Sequence, residues 1–261
     1  MSQEFTVQGH VSGDLGTLEW SGAADAETLA RAVGLAADDM FQGRQVRRLE
    51  VAIPASDAAG RRALHLAGFR REGVRRQARQ LAGGELVDEQ LYARLAGDVV
   101  RGPVGFSSVM DTVLPTKRLI AHVVVRNESD EVLLLQTTYK ADWELPGGVV
   151  EPDETPRLGA AREVFEELGV ELELGSPAVV DWMPPSLGWS DALEFIYDAG
   201  RTEADSLTGF LLEPREISQA HWVAREELEQ RVSPLSARRI RLVLDGFTGF
   251  TEDGVPVGRA G

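Results

Sequence analysis

Residues 148–170 read GVVEPDETPRLGAAREVFEELGV. The spacing G-x5-E-x7-R-E-U-x-E-E-x-G-U, with U aliphatic, is filled at every specified position, by Gly148, Glu154, Arg162, Glu163, Val164, Glu166, Glu167, Gly169 and Val170. If the non-aliphatic positions each matched by chance at roughly 1 in 15, a given window would match with probability on the order of 10^-8. Asp153 and Thr155 flank the end of a loop, Pro156 stands where a first helical turn tolerates proline, and Gly169 closes the segment. Residues 156–168 are therefore expected to form one short capped helix. At about 100° per residue, Glu163, Glu166 and Glu167 share one side, and Leu158, Ala161, Phe165 and Leu168 are expected on the opposite, core-facing side.

Carboxylates at spacings of three and four stand roughly 5–6 Å apart, where like charges repel. At an effective dielectric of about 20, each partly enclosed pair repels by roughly 3 kcal/mol, which a hard divalent cation reverses. An oxygen-only donor set suits Mg2+, with Mn2+ as a substitute, completed by substrate phosphates. Zinc asks for His or Cys, and this helix has neither.

The stretch resembles the Nudix box of hydrolases that cleave nucleoside diphosphates linked to another group. The resemblance implies that Glu166 and Glu167 are the main metal ligands and that Glu163 is a further ligand or the base that activates water. It also implies that the Gly148 carbonyl is an additional ligand and that Arg162, paired with Glu154, orients the carboxylates. Its fold would be an α/β/α sandwich with a mixed sheet, over about residues 115–245.

The surrounding sequence agrees with an α/β reading. Leu119 to Val125 and Val132 to Leu135 are aliphatic runs across a polar turn, as in paired strands. Further strands are expected at Leu172 to Asp181, Leu193 to Tyr197 and Ser218 to Val223, and helices at Glu226 to Arg231 and Ser236 to Leu244.

Nudix relatives that cleave ADP-ribose often carry a proline shortly after the box. Pro185, in DWMPPSLGWSD, stands fifteen residues past Val170, so the resemblance implies ADP-ribose or a similar sugar diphosphate. Trp143, Pro185 and Trp189 are the candidate substrate contacts, since aromatic faces stack any base at roughly 1–3 kcal/mol. Asp191 and Glu216 lie in regions where such enzymes place an extra catalytic carboxylate outside the box.

The chain has 261 residues, 43% hydrophobic and 26% charged, enough for two cores. It contains no cysteine, which excludes disulfides, thiolate catalysis and zinc-thiolate sites. The start MSQEFTVQGH is not a signal peptide pattern and no apolar run reaches membrane-spanning length, so a cytoplasmic location is expected, with no membrane partner. The net charge of -15 is uneven: 13 arginines face 14 acidic residues up to Arg101, and 14 basic face 28 acidic residues beyond it. Such an acidic second half repels nucleic acid and favours a small nucleotide delivered with a metal. A homodimer stays open.

Residues 1–101 read as a separate unit, joined by a linker over 102–114 to a catalytic domain over 115–261. Helices are expected at Glu27 to Phe41 and Asp57 to Leu66, and strands at Arg48 to Ile53, Phe69 to Arg79 and Glu89 to Leu95. The run from Val51 to Leu95 resembles the C-terminal half of GNAT-type N-acetyltransferases, with the likeness covering about residues 25–98. The family's glycine-rich pyrophosphate loop is replaced by WSGAADAETLA, Leu64 stands where many members carry a tyrosine, Asp57 and Gly60 replace an asparagine and a serine, and too few residues precede Glu19 for the opening strands. A truncated, small α+β acetyltransferase-like fold, non-catalytic and kept for contacts, is expected. The cluster Arg61, Arg62, Arg70, Arg71, Arg75, Arg76 and Arg79 reads as exposed helix and strand faces.

The expected function is Mg2+-dependent pyrophosphohydrolysis of a nucleoside diphosphate linked to X. Sanitation of nucleoside triphosphates, hydrolysis of a nucleotide sugar, and a nucleotide-sensing module without turnover are the alternatives.

Overall fold

The computed structural model describes residues 5–203 and 209–258, which fall into two compact units, Met1–Pro115 and Thr116–Gly261.

In the first unit a five-stranded sheet has the order β1-β2-β3-β5-β4. β1 (Thr6–Ser12) and β2 (Leu15–Ser21) form an antiparallel hairpin. It lies where too few residues were expected for the acetyltransferase family's opening strands; Gly13, at φ +65°, supplies its turn. α1 (Ala26–Gly43) starts at Asp25, whose carboxylate accepts the Thr28 N-H at 2.8 Å. It buries Leu29, Ala30, Val33, Ala37 and Met40 at helical spacing. β3 (Arg48–Pro54), α2 (Ala58–Leu66), β4 (Arg70–Gln80) and β5 (Leu86–Leu95) follow.

Residues expected as a linker instead carry α3 (Gly102–Asp111), with proline in its first turn. The Thr112 hydroxyl just beyond it accepts the Arg71 N-H at 3.1 Å, so this segment is built into the first unit. Several of the clustered arginines are internally paired: Arg75 and Arg79 meet Glu89, Arg70 meets Asp98 and Arg62 meets Glu27.

The second unit is built on a mixed sheet of order β11-β7-β6-β10-β9-β12-β13, with β8 also paired to β6. Its strands are β6 (Arg118–Arg126), β7 (Val132–Thr137), β8 (Gly147–Val149), β9 (Val179–Met183), β10 (Ala192–Arg201), β11 (Ile217–Val223), β12 (Gly249–Glu252) and β13 (Val255–Pro256). β10 runs parallel to β6 and β12 parallel to β9, and the other pairings are antiparallel.

Alternation along the central strands sorts side chains onto two faces. Leu133 and Leu135 of β7, with Val123 and Val125 of β6, pack with Ala160, Val164 and Leu168 of α4 (Pro156–Leu168). Val132 and Leu134, with Val124, pack with Leu228 of α5 (Leu228–Arg231) and Ile240 and Val243 of α6 (Pro234–Leu244). Helices thus cover both faces, giving an α/β/α sandwich.

Two expectations about this unit are corrected. The strand expected over Leu172 to Asp181 begins only at Val179. Leu174 is buried as part of a coil laid on the core, and Gly175-Ser176-Pro177 interrupts the run. On α4 the core face runs through Ala160, Val164 and Leu168, while Leu158 and Phe165 are exposed. The helix is rotated by about one residue from the expected orientation, which carries Glu167 to the buried side, 8% exposed. Among the described residues no helix is long and apolar enough to cross a membrane.

Candidate active site

α4 is held at both ends, by Thr155, whose hydroxyl caps the Leu158 N-H, and by Gly169 in the left-handed conformation at φ +70°. Its carboxylate side faces β8, which lies on β6 with Gly148 opposite Ala121 and Gly147 opposite His122. The approach is close. A Cβ on Gly148 would stand 2.9 Å from the carboxyl carbon of Glu163, so glycine here lets the carboxylate lie against the backbone. The Gly147 N-H donates to Glu167 Oε2 at 2.8 Å.

Gly147→Ala is expected to destabilise this corner. A φ of +128° costs an ordinary residue about 1–3 kcal/mol, and the added methyl would meet the Ala121 carbonyl and the His122 Cα of β6, both backbone. A lowered urea midpoint for the variant is the expected readout, and an unchanged midpoint would contradict it.

Arg162 is the hub of the cluster. Its Nη2 donates to Glu154 Oε1 at 2.8 Å and to the Val149 carbonyl at 3.1 Å, and its Nη1 lies 3.0 Å from both Glu163 Oε1 and Glu166 Oε2. Glu154 also accepts the Glu151 N-H. The guanidinium thus ties the loop before the helix to two of its three carboxylates.

Charge in the cluster is out of balance. Burial raises the Glu163 carboxyl above its ordinary value, opposed by Arg162 and reinforced by Glu166 and Glu216. Burial likewise pushes Glu167 up to about 7, against the Gly147 N-H and His122 and with Glu163 and Glu216 adding to it. Burial, followed by the charges of Glu167, Glu216 and Glu163, holds the Tyr139 hydroxyl high as well.

Of the two extra carboxylates, Glu216 is therefore within electrostatic reach of the cluster, its carbonyl accepting the Thr138 N-H at 2.8 Å. Asp191 is engaged elsewhere, with Lys117 and with Trp182 Nε1 at 3.2 Å, which together hold its carboxyl below the usual range.

Among the described residues no three His, Asp or Glu side chains converge into a ready cation cage. Arg162 Nη1 already bridges Glu163 and Glu166. The donor chemistry nonetheless fits a hard cation: the groups are all oxygen, and the two inner carboxylates are pushed up chiefly by burial, a cost that a bound cation would offset.

On the sheet face opposite α4 opens a cavity of about 670 Å³, lined by residues that include His122, Lys140, Pro185, Trp189 and Arg239 and by none of the box residues; His122, opposite Gly147, is its link to the cluster. Pro185 and Trp189 are thus both in its wall. Trp143 is not among the lining residues: its ring stacks on His221 at 4.3 Å, beneath Arg231. Behind the wall, Arg239 donates to Asp181 Oδ2 from Nε at 2.8 Å and to Glu194 Oε2 at 2.5 Å, while Glu194 also meets His122 Nδ1 at 2.9 Å. Sequence reading missed this buried network. Its signal was His122, one polar residue inside the aliphatic run LIAHVVV.

A two-faced sandwich with a carboxylate helix braced by one arginine and set against a glycine-rich strand defines a class of hydrolytic site. Residues 116–243 match the family model described as NUDIX domain. A MutT-like protein of Streptomyces ambofaciens is 33% identical over 127 residues, covering 49% of this chain and 76% of that protein. Among solved structures, the MutT protein of Methanosarcina mazei Go1 is 29% identical, with 51% of this chain and 96% of that one covered at a TM-score of 0.42. A ribosomal-protein-S5-alanine acetyltransferase of Vibrio fischeri is 21% identical, with 36% and 55% covered at a TM-score of 0.33. The chain belongs to the Nudix family and is a Nudix hydrolase.

Proposed function

We propose that the second unit is a Mg2+-dependent pyrophosphohydrolase acting on a nucleoside diphosphate linked to X, with ADP-ribose or a similar sugar diphosphate as the favoured substrate. The observation that carries this reading is the oxygen-only face formed by Glu163, Glu166 and Glu167 of α4, braced by Arg162 and set against the Gly147–Gly148 backbone, with a cavity of nucleotide size reached through His122. Glu166, Glu167, Glu163 and the Gly148 carbonyl would hold the ion. When bound, Mg2+ neutralises charge on the diphosphate and on the leaving phosphate.

The chain's own groups do the remaining work. Arg162, fixed by Glu154 and the Val149 carbonyl, orients Glu163 and Glu166. The Gly147 N-H fixes one oxygen of Glu167 and so sets the direction of the other. Glu163, raised by burial, can receive a proton from an attacking water. Glu216 adds a further carboxylate at the edge of the cluster. Pro185 and Trp189 shape the wall that receives the nucleoside or X.

ADP-ribose is expected to be split into AMP and ribose 5-phosphate with at least about tenfold higher kcat/KM than any nucleoside triphosphate, a difference of about 1.4 kcal/mol that a few wall contacts supply. Product identification over both panels tests this. Preferential release of pyrophosphate from triphosphates would favour sanitation instead.

For the first unit, the proposed role is a GNAT-like, non-catalytic module kept for contacts. Asp25 supports this reading, because its carboxylate takes the Thr28 N-H at the start of α1, placing negative charge where a pyrophosphate would need free donors. A catalytic domain over 115–261, and Mn2+ as a substitute ion, belong to the same proposal.

A further inference from the structure

Four positively charged side chains line this cavity: Arg118, Lys140, Arg238 and Arg239. Three of them have carboxylate partners. Lys140 meets Glu144, Arg238 lies 3.5 Å from Asp253, and Arg239 holds Asp181 and Glu194. Arg118 has none among the described residues. The nearby acid Asp191 is taken by Lys117 and Trp182. Arg118 Nη2 donates to the Ser190 carbonyl at 2.7 Å, its guanidinium carbon lies 4.7 Å from the centre of the Trp189 ring, and its Nε is buried without a hydrogen-bond partner.

An arginine held over an aromatic ring and fixed by a carbonyl is a pre-organised fork. Its Nε-H is out of water, and a buried unmade donor is costly. This cation, without a carboxylate partner among the described residues, also stands in the acidic half of the chain. A neutral ligand group would leave its charge unpaired, whereas an anion satisfies both the charge and the fork.

Position narrows the anion's place in the substrate. Arg118, Ile120 and His122 are alternate residues of β6, and all three line the cavity. The four steps from His122 to Arg118 span about 13 Å along the strand. His122 is opposite Gly147, whose N-H holds Glu167. Arg118 therefore stands on the same cavity wall as His122, away from its Gly147 end.

We propose that Arg118, backed by Trp189, binds a second phosphate carried on the ribose of the nucleoside, and that the enzyme prefers nucleoside diphosphate conjugates bearing such a phosphomonoester over those lacking it. The inference rests on the pyrophosphohydrolase reading for its meaning in catalysis, but it can be read by binding alone.

The test is calorimetric titration of the full chain, in Mg2+ buffer, with AMP, adenosine 2′,5′-bisphosphate and adenosine 3′,5′-bisphosphate. These non-hydrolysable probes differ by one phosphomonoester. At least one bisphosphate is expected to bind the wild type at least about tenfold more tightly than AMP. Arg118→Gln should reduce that advantage to about threefold or less, and Arg118→Lys should keep part of it, since the charge remains while the fork is lost. Equal binding of all three probes by the wild type, or a full advantage retained in Arg118→Gln, would overturn the proposal. Because no turnover is measured, absence of hydrolysis on every diphosphate would count against the enzymatic reading and leave this result standing.

Discussion

Glu166→Gln and Glu167→Gln are each expected to lower kcat by about 100-fold or more, the equivalent of losing about 3 kcal/mol of transition-state stabilisation. Both changes keep side-chain volume and remove one charge from the face that would hold Mg2+. Substrate affinity should fall less than kcat, since the ion acts mainly on charge that develops in the transition state. The two positions differ in burial, and so in their effect on the metal-free chain. Glu166 is exposed and tied to Arg162. Glu167 is buried and holds its proton up to about 7, chiefly through burial.

A carboxyl whose folded value lies above its unfolded value stabilises the fold fully below the unfolded value, and that stability is lost as pH rises through the folded one. In EDTA, the wild type should therefore lose up to about 3 kcal/mol between about pH 4.5 and pH 7 at this residue. Glu167→Gln, which can still accept the Gly147 N-H, should escape that loss. Urea unfolding in EDTA at pH 5 and pH 8 checks this: the variant should gain on the wild type at the higher pH. A gap that does not change with pH would count against burial as the cause.

Arg239→Met should cost about 3–5 kcal/mol, because it strands two buried carboxylates, Asp181 and Glu194. Asp181 is fully buried, with Thr251 and the Gly254 N-H as its other partners. For Glu194, burial pushes the carboxyl up, but His122, Arg239 and Lys140 together outweigh it and hold the group below its ordinary value. Its pairing therefore stabilises the fold at neutral pH, and that contribution is lost as pH falls through the lowered value. The Arg239→Met penalty should accordingly be large at pH 7 and shrink in acid. Adding Glu194→Gln to Arg239→Met should recover part of the loss, since one stranded charge is gone. Urea unfolding followed by tryptophan fluorescence measures each step. A penalty under about 1 kcal/mol at pH 7 would show that the buried charges find other partners.

What could be read from sequence followed the strength of local signals. The box helix was legible because its cap, its proline and its terminal glycine all lie within the segment, and the expected span of 156–168 matches Pro156–Leu168. The central strands were legible because β6 and β7 are aliphatic on both faces. The orientation of α4 was not, because its apolar residues form two overlapping stripes, and only packing on Val123 and Leu133 selects the stripe through Val164. The Leu172 to Leu174 coil has the hydrophobicity of a strand but finds its burial without a ladder.

In the site, the spacing of Glu163, Glu166 and Glu167 gave the carboxylate face, and Glu216 could be suspected only by region. Trp143 stacks on His221, a pairing that no local pattern announces. Arg118 and Arg239 carried no local signal at all. One owes its importance to a missing partner and the other to two carboxylates 58 and 45 residues away in sequence, relations that only the folded chain creates.

The most direct measurement is the initial rate of ADP-ribose hydrolysis as a function of Mg2+ for the wild type, Glu166→Gln and Glu167→Gln, with products identified. The expected result is no turnover in EDTA, a saturable rise with Mg2+ in the wild type, AMP and ribose 5-phosphate as products, and a severe loss of rate in both variants. Turnover that ignores Mg2+, or variants as fast as the wild type, would contradict the assignment of the α4 carboxylates as the metal-holding catalytic face.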